Sequence, residues 1–159
     1  PLVDSSSLQN ENNQNEFTKN LTSFLSKISS NITINLETDL PPIEFKKLLE
    51  NFKDFHVYAN YDTGNSASLG YSVDDELSLL NPWLKNIHIK DRLYQGQTVP
   101  LGTGNTNFKS FFLQLSKIHY RGDLIIQGAR NVSDTCFSPM DICVHYFKFV
   151  NQYVDKYLR

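Results

Sequence analysis

Two spacings of hydrophobic residues alternate along the chain. Short β-branched or aromatic runs, typical of strands, separate longer segments in which apolar residues recur every three or four positions, as on one face of a helix. The predicted strands are 32–36, 56–61, 86–89 and 123–127, and the predicted helices are 16–29, 43–52, 73–84, 107–118 and 139–158. Residues 1–4 have the character of the end of a further strand. This alternation favours an α/β fold whose parallel strands are joined by helices.

Local signals mark several boundaries of these elements. Pro41 and Pro42 stop the first strand and begin a helix, because proline suits the first helical turn. Ser72 is predicted to cap the next helix, with Asp75 three residues on. Residues 63–65 and the glycine-rich stretch that contains Gly96, Gly102 and Gly104 are predicted to be loops.

Composition narrows the class of protein. The chain has 159 residues, 40% hydrophobic and 20% charged, which is enough for one domain with a core. The net charge of -2 gives no general reason to expect a nucleic-acid partner, although 15 Lys and Arg leave room for a local basic patch. We find no apolar run of transmembrane length and no signal peptide, so a cytoplasmic setting without membrane contact is expected.

The chain has two cysteines, Cys136 and Cys143. Two cysteines do not make a disulfide framework, and their spacing is not that of a zinc knuckle. Both are expected to be small buried apolar groups.

Polar residues stand at the carboxyl ends of four successive predicted strands: Glu37, Asp62, His88 and Gln127. In a β/α barrel these ends meet at one face, where the chemistry collects. Two carboxylates, an imidazole and an amide oxygen suit a divalent cation such as Mn²⁺, Mg²⁺, Co²⁺ or Zn²⁺. Such a cation can polarise a carbonyl and stabilise an enediolate.

Each of these residues also has a purely structural interpretation. Glu37 could cap the following turn, Asp62 could form an Asx turn, and His88 could be a hydrogen-bonded core histidine. Their joint placement at successive strand ends favours the metal site over these alternatives.

Three features are candidates for binding an anionic substrate. The amides of the loop that contains Gly102 and Gly104 could meet a phosphate, although a flexible loop over the barrel mouth fits equally well. Lys90 lies on the same strand face as His88, so it could pair with the substrate or with a carboxylate of the site. Arg130 could bind phosphate through two hydrogen bonds or form a surface salt bridge.

Several stretches resemble the sugar-phosphate isomerase/epimerase family, which shares the xylose-isomerase-like TIM barrel with apurinic endonucleases. They are PLVDSSS, INLETDLPPIEF, ANYDTGNSASLGY, NIHIKDR, VPLGTGNTNF and YRGDLIIQGAR. The Asp-Thr-Gly-Asn turn and His-Ile-Lys-Asp are the most specific of these. The resemblance spans residues 1–130 and implies the C-terminal half of a (β/α)₈ TIM barrel that binds one divalent metal.

The resemblance also implies roles for single residues. Glu37 becomes a metal ligand and the catalytic acid/base group, Asp62 and His88 become ligands, and Asn65 joins the residues expected to bind substrate. Gln127 stands where the family has a second glutamate. An amide can still bind a metal through its oxygen, but it cannot accept a proton as a carboxylate can. Two-base epimerisation is therefore in doubt, whereas one-base isomerisation or another proton donor remains open.

The expected domain is a single one, 1–159, which starts at the end of barrel strand four. A complete barrel needs about 250 residues, and half a barrel leaves open sheet edges. We therefore expect a fragment, a truncated gene product or one part of an assembly, either a homo-oligomer or a complex with the N-terminal half of the barrel.

The leading functional hypothesis is a metal-dependent isomerase or epimerase of a sugar or sugar phosphate. The alternative is a non-catalytic relative that acts as a binding protein, which Gln127 and the missing strands support. Endonuclease-type hydrolysis of phosphodiesters fits less well, because it needs a cluster of metals with many histidines. The chain has four histidines, and only His88 lies at a strand end.

Overall fold

The computed structural model describes residues 5–28, 31–129 and 138–159. The strands are β1 (Ile34–Leu36), β2 (Val57–Asp62), β3 (Leu84–Ile89) and β4 (Asp123–Ile126). The helices are α1 (Glu11–Leu25), α2 (Pro42–Glu50), α3 (Thr63–Leu69), α4 (Val73–Leu80), α5 (Phe108–Lys117) and α6 (Pro139–Tyr157). A 3₁₀ turn, Asn81–Trp83, joins α4 to β3.

The four strands form one parallel sheet in the order β1-β2-β3-β4. Each strand therefore lies beside the next strand along the chain, with helices in the crossovers, as in one half of a β/α barrel. The predicted α/β class is confirmed. The predicted strand end at residues 1–4 lies outside the described residues.

The two faces of the sheet have opposite character. Successive side chains of a strand point to opposite faces, and on β2 the residues buried in the core are Val57, Ala59 and Tyr61. They pack against apolar residues of the helices, among them Leu49, Leu77 and Phe111. The alternate residues, Asn60 and Asp62, face the other side, so β2 presents polar groups on that side, which we call the polar face.

A register shift lies between β2 and β3. Ala59 pairs with Leu84, but Asn60 pairs with Asn86, so Lys85 is an extra residue on β3. Leu84 and Ile87 are three residues apart, a spacing that would put them on opposite faces of a regular strand. Both nevertheless pack in the core. Beyond the shift, Asp62 lies directly opposite His88.

Two helical segments differ from the prediction. Helix α1 begins at Glu11 instead of residue 16, because the Asn10 side chain accepts hydrogen bonds from the N–H groups of Asn12 and Asn13 and caps a polar first turn. The prediction of a loop at 63–65 is wrong. Asp62 caps a helix that starts at Thr63, and its carboxylate accepts from the N–H of Asn65.

The region around α4 shows one prediction confirmed and one boundary moved. The Ser72 side chain accepts a hydrogen bond from the N–H of Asp75 at 3.4 Å, as predicted for the cap. The helix ends at Leu80, earlier than expected, because Pro82 has no N–H to continue the helical pattern. Strand β3 then begins at Leu84, two residues before the predicted start.

Cys143 is exposed on α6, so the expectation that it is buried is wrong. The buried positions of α6 are Tyr146 and Val150, which pack into the core, and Cys143 lies away from that packing. Cys136 lies outside the described residues. In the part of the chain that the structure describes, no helix is both long and apolar enough to cross a membrane.

Candidate metal centre

Glu37, Asp62 and His88 come together at the carboxyl end of the sheet. His88 Nδ1 lies 3.4 Å from Glu37 Oε2 and 4.0 Å from Asp62 Oδ2. One potential ligand atom from each residue lies within 4.8 Å of the other two, which is close enough for all three to hold one ion. Consecutive parallel strands end at the same edge, so the fold brings together residues far apart in the sequence.

Asp62 uses its two oxygens for different purposes. Oδ1 accepts the N–H of Asn65 at 2.8 Å and caps α3, while Oδ2 faces His88 and lies 3.5 Å from Lys90 Nζ. The side chain is 1% exposed. Burial raises the pKa of Asp62, and the Asn65 N–H and the Lys90 ammonium oppose that rise in part. The structural interpretation and the metal-site interpretation of Asp62 are therefore compatible.

Glu37 is held by two asparagine amides. Asn65 Nδ2 donates to Oε1 at 2.6 Å, and Asn60 Nδ2 donates to Oε2 at 2.5 Å. Asn60 Nδ2 also lies 3.2 Å from His88 Nδ1. Because each carboxylate oxygen has its own donor, the plane of the carboxylate is fixed toward His88.

Asn65, which was expected to bind substrate, is occupied within the protein. Its Nδ2 donates to Glu37, and its Oδ1 accepts from Arg92 Nη1 at 2.9 Å. The residue is 3% exposed. The structure thus gives Asn65 a part in orienting Glu37.

Lys90 lies on the polar face of the sheet, as alternation with His88 predicts. Of the two alternatives for its ammonium, the structure shows the pairing with a carboxylate, Asp62. Gly64 makes room for this side chain, since a Cβ at position 64 would lie 2.8 Å from Lys90 Cγ.

Gln127 directly follows β4, beside the end of β3. Its backbone N–H donates to Ile89 O at 2.9 Å, and the residue is exposed. Among the acidic, histidine and cysteine residues that the structure describes, the cluster able to hold an ion is Glu37, Asp62 and His88. The membership of Gln127 stays a prediction.

The amides of Gly102 and Gly104 are not free to bind phosphate in this structure. Both donate to Asp91 Oδ2, at 2.9 and 2.8 Å, and the N–H of Thr106 donates to Oδ1 of the same carboxylate at 3.0 Å. The fully buried Asp91 thus takes the place expected for an anion. Arg130 lies outside the described residues.

Four residues of this region were missed in the sequence: Asn60, Asn86, Asp91 and Arg92. Asn86 Nδ2 donates to Asn60 Oδ1 at 2.7 Å, which leaves the Asn60 NH₂ group to face Glu37. The signal for the two asparagines was available, because each lies two residues before a strand-end candidate and so shares its face. Asp91 and Arg92 follow β3 and lie in the stretch NIHIKDR, but strand alternation gave neither residue a role.

Another buried carboxyl group, that of Glu76, lies behind the site. Glu76 Oε2 accepts from Tyr61 Oη at 2.9 Å and from the Ser66 hydroxyl. Burial raises the pKa of Glu76 to about 7, although both hydroxyls favour the ionised form. A cavity of about 30 Å³ has Glu37 and Glu76 in its lining, which is room for about one or two waters.

We expect Glu76 to make the stability of the protein fall as pH rises. Its pKa is about 7 in the folded state against an ordinary value of 4.5, so the folded state binds the proton more tightly. The stabilisation is complete below about pH 4.5 and is lost as pH rises to about 7, a decrease of about 3 kcal/mol. Urea unfolding of the wild type and Glu76→Gln between pH 4.5 and 8 measures this. Parallel pH profiles for the two proteins would contradict the assignment.

Known proteins resemble the chain in sequence and in fold. No protein-family model matches it. The candidate L-ribulose-5-phosphate 3-epimerase SgbU of Haemophilus influenzae is 25% identical over 118 residues, which are 65% of this chain and 41% of that protein. The chain therefore spans less than half the length of this curated relative.

Solved structures also match the chain in fold. A xylose isomerase domain protein from Planctomyces limnophilus matches with a TM-score of 0.76 at 20% identity, over 99% of this chain and 56% of that one. An L-ribulose 3-epimerase matches with a TM-score of 0.63 at 18% identity, over 80% of this chain and 47% of that one. The chain therefore has the fold of xylose-isomerase-like domain proteins and sugar epimerases, and the resemblance predicted from its sequence is confirmed.

Proposed function

We propose that the chain carries the metal-binding part of a sugar or sugar-phosphate isomerase or epimerase. The observation that supports this most is the convergence of Glu37, Asp62 and His88. The names of its relatives, a candidate L-ribulose-5-phosphate 3-epimerase and an L-ribulose 3-epimerase, support a sugar or sugar phosphate as the substrate. The chain spans 41% of the first of these proteins and 47% of the second.

The residues present fit a divalent cation. Glu37, Asp62 and His88 would hold it, and their oxygen and imidazole donors are of the type that Mn²⁺, Mg²⁺, Co²⁺ and Zn²⁺ accept. When bound, such an ion polarises the carbonyl of a sugar. Lys90, 15% exposed and paired with Asp62, partly balances the charge of the two carboxylates before an ion enters.

Glu37 is the residue proposed to move the proton. It is 30% exposed at the side chain, so a substrate can reach it, whereas Asp62 is buried at 1%. A proton next to a carbonyl needs a base within hydrogen-bond reach, and the two asparagine amides fix the direction in which Glu37 presents its carboxylate. Gln127 cannot share this task, because an amide does not accept a proton. Among the residues that the structure describes, the proposed chemistry therefore uses Glu37 as its carboxylate base.

A binding protein without catalysis is the second candidate, and Gln127 is the observation that favours it. The two functions differ in one measurement. A catalyst exchanges the hydrogen next to the carbonyl of a ketose with solvent, whereas a binding protein only shows a raised melting temperature with the same sugar.

Titration with Mn²⁺ tests the site. We expect the purified protein to bind one Mn²⁺, and Glu37→Ala and His88→Ala each to weaken binding by about 100-fold, the larger loss known for changes around metal sites. Isothermal titration calorimetry at fixed pH measures both. His145→Ala, on the exposed face of α6, is the matched control and should bind as the wild type does. Unchanged affinity in both site variants would contradict the proposal.

A further inference from the structure

The Arg92 side chain donates all of its described hydrogen bonds to two acceptors. Its Nε and Nη2 donate to Gly96 O at 3.0 and 2.6 Å, and its Nη1 donates to Asn65 Oδ1 at 2.9 Å. The forked geometry of a guanidinium lets one side bind a loop carbonyl while the other side reaches a second residue. Arg92 therefore links the segment 92–98 to α3.

The chemistry of the arginine decides which way the Asn65 amide points. A guanidinium has donors only, so the group that faces it must be the amide oxygen. The NH₂ group of Asn65 is then left to face Glu37, and it donates to Oε1 at 2.6 Å. Asparagine alone has no such preference, because its two ends have nearly the same shape.

The arginine itself is held in a fixed frame. Arg92 pairs with Thr98 in an antiparallel bridge, and Leu93 N donates to Gln97 O at 3.1 Å. At the tip, Gln95 N donates to Ser68 O of α3 at 2.9 Å. The segment 92–98 and α3 are thus joined at two points, at Asn65 and at Ser68.

We propose that Arg92 is a positioning residue that fixes the orientation of the Asn65 amide and, through it, the Glu37 carboxylate. The step from Glu37 to metal binding rests on the proposed function, but the orientation of the amide does not. Without Arg92, only the Glu37 carboxylate opposes rotation of the amide by 180°, which would place Asn65 Oδ1 against a carboxylate oxygen, so the amide turns more often. Asn60 still holds the other oxygen of Glu37, so the loss of Arg92 weakens the site without abolishing it.

The orientation is tested in the metal-free protein by NMR. In the wild type, the side-chain NH₂ of Asn65 is expected to be protected from exchange with water, because it is buried and bonded to Glu37. Arg92→Met should raise its exchange rate by about tenfold or more, since the amide can then turn. Arg159→Met, at the exposed end of the chain, is the control and should leave the signal unchanged. Equal protection in Arg92→Met and the wild type overturns the proposal.

The effect on the site is tested by a double-mutant cycle for Mn²⁺ affinity. Arg92→Met should weaken binding by about tenfold, in the range known for residues that orient metal ligands. In an Asn65→Ala background the same change should cost nothing further. Equal losses in both backgrounds would mean that Arg92 does not act through Asn65 and would overturn the proposal.

Two further results separate this inference from the proposed function. If the wild type binds no Mn²⁺, the proposed function fails, while the NMR result still decides the role of Arg92. Arg92→Lys keeps a cation and a donor, so it should lose less protection at Asn65 than Arg92→Met does. A folded Arg92→Lys protein as unprotected at Asn65 as Arg92→Met would show that the donor is irrelevant and count against the proposal.

Discussion

The substitution Glu37→Gln is expected to lower the rate of hydrogen exchange next to a ketose carbonyl by about 10²–10⁴-fold, the usual contribution of a positioned acid or base. Glutamine keeps an oxygen that can reach a cation, but its amide cannot take up a proton. Proton NMR of L-ribulose and its 5-phosphate in D₂O, with Mn²⁺ present, measures the exchange. Glu50→Gln, on the exposed side of α2, is the control.

The hydrogen bonds of Glu37 affect how the result for Glu37→Gln is interpreted. Both oxygens of Glu37 accept from an amide NH₂ group, of Asn60 and Asn65. Glutamine places its own NH₂ against one of these donors, so some reorientation is expected. Mn²⁺ affinity retained within about tenfold, together with loss of exchange, assigns the defect to proton transfer. Exchange as fast as in the wild type would remove Glu37 from the catalytic role.

The largest loss of stability is expected for Asp91→Ala, at about 4 kcal/mol. The fully buried carboxylate accepts three backbone N–H groups, those of Gly102, Gly104 and Thr106. Hydrogen bonds to a charged group contribute about 1.5 kcal/mol or more each. The loop that they close carries the buried Leu101 and leads into α5, so its release also disturbs the core. Urea unfolding measures the difference from the wild type.

Two companion variants give this experiment its controls. Asp91→Asn should also destabilise the protein, because both carboxylate oxygens are acceptors and one must become a donor. Asp54→Ala, an exposed aspartate, should change stability by less than about 0.5 kcal/mol. Stability of Asp91→Ala within that range would show that the three bonds contribute little.

The parts of the fold with a strong apolar period could be predicted from the sequence. Helices α2 and α5 carry buried residues at helical spacing, such as Phe45 and Leu49 on α2. The four strands were found in the correct order, and their ends located Glu37, Asp62 and His88. These features depend on hydrophobic periodicity, which is legible in a single sequence.

The segments that were missed lack that period. Helix α3 has the sequence TGNSASL, with small polar residues that are buried against the site and no apolar stripe. The first turn of α1 is polar and depends on the cap from Asn10. The beginning of β3 breaks the alternation, because Lys85 is the extra residue of the register shift. In each case a specific hydrogen bond or irregularity, not hydrophobicity, determines the structure.

The hydrogen-bonded partners of the site were harder still to predict. Arg92 and Asn65 are 27 positions apart, and Asn86 and Asn60 are 26 apart. Such contacts depend on the register of neighbouring strands and on the path of the segments that follow them. For the glycine-rich loop, anion binding and a flexible loop fitted the sequence equally well, and in the structure the amides of Gly102 and Gly104 donate to the chain's own Asp91.

Because of the register shift at Lys85, the length of the connection before β3 does not determine where the residues of the site lie after it. A one-residue slip along a regular strand would exchange its faces and turn His88 into the core. Because the mismatch is absorbed between Leu84 and Asn86, a residue gained or lost there changes the size of the bulge and leaves Asp62 opposite His88. A change in length just before this strand is therefore expected to leave His88 in phase with Asp62.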